Sequence, residues 1–156
     1  MSDTVDSTIS VKTAVMNQLP LNNMNTKASS PLMHVNLLDS AKNLDNKKIS
    51  LIEEKFLGYL VLRGNAGDKN FKQAIENTLA CELPTVLQCI YHDDLSIRWI
   101  SPDEWLIVCA GDTVFKLEAS LRKVLLGHYS ICNISGGQTL LVLSGVHARD
   151  VLMKST

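Results

Sequence analysis

A chain of 156 residues is long enough for one ordinary domain with a core of its own. Hydrophobic residues make up 46% and the formal net charge is −1, a balance that favours neither nucleic acid nor another polyanion as a partner. No apolar run reaches the roughly 18 residues needed to span a bilayer, and the first thirty residues lack the basic start and apolar block of a secretory signal.

From the N-terminus, residues 1–29 read as a polar, disordered arm rich in Asn, Ser and Thr. Order is expected from Ser30, in a single domain over residues 30–156. "SPLMHVNLLD" is a short apolar segment suited to docking on a surface, and "ISLIEEKF" leads into "LGYLVLRGN". That run, Leu57 to Asn65, is a strand that stops at a Gly-Asn-Ala-Gly turn signal. Asp68 can cap the next element. Phe71, Ala74, Ile75, Thr78 and Leu79 recur at helical spacing, so the pattern predicts a helix over 68–80, broken by "ELPT".

The middle of the chain predicts a hairpin. "LSIRWI" places Leu95, Ile97 and Trp99 on one face, "SPDE" makes the turn, and "WLIVCA" returns with Trp105, Ile107 and Cys109 on a common face. Trp105 is therefore expected to pack inward. After Gly111, Asp112 is the expected cap of a second helix with an apolar stripe of Val114, Phe115, Leu117, Leu121, Val124 and Leu125, ended by Gly127. "YSICNIS" is the next strand, "GGQ" a turn and "TLLVLSG" the strand after it, and "VHARDVLMK" starts a last helix. Residues 57–134 thus spell strand, helix, strand, strand, helix, strand. The fold class is α+β: a ferredoxin-like split βαβ unit (βαββαβ) with both helices on one face of an antiparallel sheet, followed by a further strand and a helix.

Chemistry-bearing residues are sparse. Cys81, Cys89, Cys109 and Cys132 form no Cys-x-x-Cys pair, and each adjoins or lies in an apolar stretch, so reduced structural thiols and a cytoplasmic location are expected. "YHDD", Tyr91 to Asp94, is read as a solvated turn rather than an acid/base or metal cluster. "RGNAGD" lacks Gly-x-Gly-x-x-Gly spacing and is read as helix capping rather than an anion cradle. His147, Arg149 and Asp150 open the last helix, where the helix dipole accounts for Asp150 and a surface ion pair for Arg149. No catalytic, cofactor-binding or metal-ligating residue is assigned.

"YLVLRGNAGDKNFKQAIENTLACELPT", "WISPDEWLIV" and "GGQTLLVLSGVHARDVLMKST" resemble the gamma subunit of heterotetrameric sarcosine oxidase. Members show a Leu-Arg-Gly strand end, an Ala-Leu-Pro-type helix exit, a Gly-Pro-Asp-Glu-Trp-Leu turn and a Leu-Ser-Gly-x-x-Ala-Arg-x-Val-Leu-x-Lys segment. The likeness covers about residues 30–156. Ser101 departs from the usual Gly before Pro-Asp-Glu-Trp, and Ser155 from a Gly-Cys-type turn. The resemblance implies a fold similar to part of the folate-binding aminomethyltransferases and a domain that is C-terminally incomplete, leaving Val146, Val151, Leu152 and Met153 on an uncovered apolar side of the last helix.

It also implies a non-catalytic gamma subunit with alpha, beta and delta subunits as partners. The complex would oxidatively demethylate sarcosine to glycine, transfer the one-carbon unit to tetrahydrofolate and produce hydrogen peroxide. FAD, FMN, NAD, tetrahydrofolate and zinc are expected in the partner subunits and none in this chain. The alternative is a free-standing folate-binding or one-carbon transfer protein of the aminomethyltransferase type.

Overall fold

The computed structural model describes residues 29–35 and 48–155; the arm expected over 1–29 lies outside them except for its last residue, as do residues 36–39 of the apolar segment. In chain order the elements are β1 (Ser50–Glu54), β2 (Leu57–Gly64), α1 (Lys69–Leu79), β3 (Cys89–His92), β4 (Leu95–Ser101), β5 (Glu104–Ala110), α2 (Val114–Val124), β6 (Tyr129–Asn133), β7 (Leu140–Ser144) and α3 (Ala148–Ser155). Short 3-10 turns lie at Met33–Val35 and Ser135–Gly137.

Five strands form an antiparallel sheet in the order β3-β4-β5-β2-β6. Within it β2-α1-β4-β5-α2-β6 is the expected βαββαβ unit, with the first and third strands paired at its centre. β3 is an addition that turns back on β4 at the sheet edge through Asp93 and Asp94. The central position of β2 follows from its sequence: Leu60 and Leu62 are both fully buried, and β5 answers with Trp105, Ile107 and Cys109 on the same side.

The two helices cover that side, contributing Phe71, Ile75 and Leu79 from α1 and Val114 and Leu121 from α2 to one continuous core. Asp68 caps α1 as expected: the Asn70 and Phe71 backbone N–H groups donate to its Oδ1 at 2.9 and 3.5 Å. Gly64, the last residue of the Leu-Arg-Gly strand end, lets Phe71 lie close against the strand, because a Cβ at this position would collide with the Phe71 Cε2 and Cζ atoms.

Other local expectations are corrected. Asp112 does not cap α2. A turn closed by the Thr113 N–H on the Ala110 carbonyl places Thr113 at the cap position, and its hydroxyl bonds back to Ala110 instead of to the helix. Gly127 does not end α2 either: Leu125 leaves the helix in extended conformation, and the positive φ of Gly127 serves the turn before β6. "GGQ" is no hairpin turn, since β6 and β7 belong to different sheets. Ser135 accounts for this: its hydroxyl donates to Asn133 Oδ1 at 2.6 Å and accepts from the Tyr59 N–H at 2.9 Å, bending the chain off the sheet. β7 instead pairs antiparallel with β1, which had no assigned element, in a separate two-stranded ribbon.

Trp105 packs inward as its alternation with Ile107 and Cys109 predicts, at 2% exposure. Its ring centroid lies 6.2 Å from that of Phe71, and its indole N–H donates to the Pro84 carbonyl at 3.0 Å. Truncating a buried Trp removes roughly 3–5 kcal/mol, a large share of a domain's net stability. Trp105→Ala is therefore expected to be unfolded by circular dichroism at 25 °C; a folded variant with a native melting temperature would contradict this placement.

Candidate functional site

The structure scatters the chemistry-bearing residues. Tyr91 and His92 end β3 while Asp93 and Asp94 form the turn to β4, so the expected turn holds for the two aspartates and the first two residues are strand. Among the described residues no group of three or more His, Cys, Asp or Glu is placed to hold a metal ion. Cys109 is buried and burial pushes its thiol up, in keeping with a structural role. Cys89 and Cys132 are exposed, which corrects their reading as packed thiols: both sit on edge strands, with side chains pointing away from the helix-covered face. At the start of α3, His147 Nδ1 lies 3.1 Å from Asp150 Oδ2, so the side chain beside Asp150 is His147, and Arg149 makes no ion pair among the described residues.

Two of the quoted motifs are clamped together. Arg63, in Leu-Arg-Gly, donates through Nη2 to Asp103 Oδ2 of the Pro-Asp-Glu-Trp turn at 3.0 Å, and the Gly64 N–H donates to the Asp103 carbonyl at 3.0 Å. Ser101 donates to the other carboxylate oxygen at 3.0 Å, a bond that the glycine usual at this position could not make. The hydrogen bond from Arg63 holds the Asp103 carboxyl below its ordinary range. This pair is about half exposed and ties the β2 end to the β4–β5 turn.

The buried charge of the described region is Glu53 on β1. Ser30 Oγ donates to its Oε2 at 2.8 Å, and the Leu32 N–H and Thr139 Oγ1 donate to its Oε1 at 3.2 and 3.0 Å. Its oxygens are thus taken by the segment at 29–35 and by the approach to β7. Burial pushes this carboxyl up, but the hydrogen bonds from Ser30, Leu32 and Thr139, with the charge of Lys55, hold it below the ordinary carboxylate value.

What the ribbon leaves open is apolar. Ile52 and Val142 stand opposite each other on one of its faces, Leu51 and Leu143 on the other, and all except Leu143 are exposed. "LLVLS" is the pattern of a strand covered on both faces, yet here Val142 on one face and Leu141 on the other are exposed. Gly145, at φ 111°, carries the chain from β7 into α3; a Cβ there would collide with the Lys48 carbonyl. α3 buries none of its residues, and Val146, Leu152 and Met153 extend the apolar surface, Met153 at 68% exposure. This surface is the candidate functional site: it can bind apolar protein surface.

Comparison with known proteins agrees with the motifs. Residues 63–156 match the sarcosine oxidase, gamma subunit family. The fold is similar to a chain of the heterotetrameric sarcosine oxidase from Corynebacterium sp. U-96 in complex with pyrrole 2-carboxylate, with a TM-score of 0.71 and 24% identity over 82% of this chain; the match spans 66% of that chain's length. It is also similar to the glycine cleavage system aminomethyltransferase T from Bartonella henselae, with a TM-score of 0.52 and 15% identity over 70% of this chain and 32% of that one. No curated protein sequence matches.

The Glu53 cluster generates a pH prediction. A carboxyl whose folded pKa is depressed contributes stability above its unfolded value, and that stability is lost as pH falls through the folded value. The hydrogen-exchange protection of the Leu32 amide should hold from neutral pH down into the ordinary carboxylate range and collapse below it. In Glu53→Gln, which has one acceptor oxygen where the native carboxylate has two, that protection should be weak at every pH.

Proposed function

The chain belongs to the sarcosine oxidase gamma subunit family, and we propose that it is a non-catalytic subunit of a heterotetrameric sarcosine oxidase. The observation that carries the reading is the set of exposed apolar side chains on β1, β7 and α3, because exposed apolar surface gathered on a few elements of an otherwise well-packed domain marks a protein interface. Its residues are those that pack, and Glu53, the buried carboxylate on β1, is engaged within the chain by Ser30, Leu32 and Thr139. The proposal extends to the complex. Alpha, beta and delta subunits would be the partners, with FAD, FMN, NAD, tetrahydrofolate and zinc held in them. Sarcosine would be oxidatively demethylated to glycine there, with one-carbon transfer to tetrahydrofolate and release of hydrogen peroxide. A cytoplasmic location is proposed with it; no helix of the described residues is long and apolar enough to cross a membrane.

The second reading, a free-standing folate-binding or one-carbon transfer protein, draws on the fold similarity to an aminomethyltransferase. A pterin ring would need an acidic side chain free to bind it in a pocket. Glu53 is the buried carboxylate available, and its oxygens already accept from Ser30, Leu32 and Thr139. That supports the subunit reading.

A tagged copy expressed with its candidate partners is expected to co-purify stoichiometrically with a flavoprotein. Ile52→Lys and Met153→Lys place charges on the apolar surface and are expected to weaken that association by about tenfold or more. Their melting should stay within roughly 0.5 kcal/mol of wild type, as for other exposed positions. A monodisperse wild-type monomer that binds tetrahydrofolate and captures no flavoprotein would favour the second reading.

A further inference from the structure

The two edges of the five-stranded sheet are treated differently. At β6, Arg122 reaches over from α2 and donates to the Ile131 carbonyl at 2.6 Å, filling an outward acceptor of that edge. At β3 nothing comparable is found among the described residues. The Trp99 N–H donates to the Gln88 carbonyl, so Gln88, Ile90 and His92 direct their backbone groups toward β4, and the N–H and C=O groups of Cys89 and Tyr91 face outward. "CIYH" carries no proline, lysine or bulge of the kind that blunts an edge.

The turn that delivers the chain to this edge is rigid and strained. Its closure is the Gln88 N–H on the Thr85 carbonyl at 3.0 Å, and the Gln88 side chain accepts from both the Thr85 N–H and hydroxyl. Third in this turn is Leu87, at φ 61°, a position that glycine or asparagine ordinarily fills. A leucine is strained there and gains nothing from the fold, since it is 87% exposed. Beside it Val86 lines an open groove of about 310 Å³ with Trp99, Pro84 and Pro102, and beyond Leu87 the Tyr91 side chain is 75% exposed. The far end of the edge is acidic: Asp93 and Asp94 are exposed, His92 Nε2 lies 3.7 Å from Asp93 Oδ2, and the cation Arg98 of β4 stands at the other end, opposite Cys89.

We infer that the open edge of β3 takes up an extended segment of a partner subunit as a sixth strand, an apolar segment with a basic residue at the end that meets Asp93 and Asp94. The inference rests on the subunit reading for the existence of that partner. Backbone groups of Cys89 and Tyr91 supply the ladder, Leu87 and Tyr91 the side-chain contacts, and the aspartates fix the direction. This contact lies on the five-stranded sheet, whereas the apolar surface described above belongs to the ribbon and α3.

The test uses the full chain in its co-purified complex, with two variants of opposite effect on the free protein. Tyr91→Pro removes an outward N–H that the fold does not use, a substitution that edge strands tolerate. Leu87→Gly relieves the positive-φ strain and should melt at or above the wild-type temperature. Each should weaken association by about tenfold, the scale of one or two lost ladder bonds with their apolar contact. In the wild-type complex, exchange of the Cys89 and Tyr91 amides should slow by at least about tenfold relative to the free chain, as newly paired strand amides do. A complex in which those amides exchange as in the free chain, with both variants binding like wild type, would overturn the edge inference and leave the subunit reading intact. Absence of any complex would overturn both, and protection of the same amides in a homodimer would replace the partner segment with a second copy.

Discussion

The indole of Trp105 is the point from which the rest of the domain is positioned. It is the first inward residue of β5, its ring meets Phe71 of α1, and its N–H is satisfied by the carbonyl of Pro84. A buried indole N–H without a partner would cost on the order of 1–3 kcal/mol, so the chain leaving α1 is held where that carbonyl can reach it. Fixing Pro84 fixes Thr85, and with it the turn that presents Leu87 and starts β3. Gly64 acts on the same group from the other side, because the missing Cβ lets Phe71 lie against the strand end. The motif residues therefore build a frame, and the surfaces available to partners are what the frame leaves outside it.

Much of that frame was legible in the sequence, for a physical reason. β2, β4, β5 and both core helices bury an apolar face at the period of their own backbone, and Asp68 announces α1 through a local bond. What stayed hidden depends on contacts between distant segments. β1 reads "SLIEE", and its buried position is a glutamate, whose burial depends on donors from Ser30, Leu32 and Thr139 that no local pattern reveals. β3 reads "CIYH" and pairs on one side alone, so neither face carries an apolar row. The junction after β6 looked like a hairpin turn because Gly-Gly permits one. The deciding groups were the hydroxyl of Ser135 and the backbone N–H of Tyr59, far away in the chain.

The candidate site was half legible. The apolar residues of the last helix and strand stand out in sequence, and the structure adds that β7 joins β1 and leaves the five-stranded sheet uncontinued beyond β6. A two-stranded ribbon is marginal by itself in water. Here it is tied down by the Glu53 carboxylate, which joins β1 to the approach to β7 and to the segment at 29–35. The apolar side chains of the ribbon thus need not pack against the domain to keep it in place, and several remain exposed.

The two surfaces recognise by different physics, and that difference bears on how a small subunit can hold its place in an assembly. The ribbon and α3 offer apolar area, which is strong but non-directional and constrains register little. An open strand edge offers few groups, each at a fixed spacing along the chain, so its energy is modest while its register is strict. The acidic turn at Asp93 and Asp94 adds a sign to that register, since a strand entering in the wrong direction would leave its basic end away from them. Arg122 occupies one outward carbonyl of the opposite edge, at Ile131, whereas no side chain of the described residues caps the β3 edge. On the subunit reading proposed above, area for affinity and one open edge for alignment is a division that would let a small domain set how its partners meet.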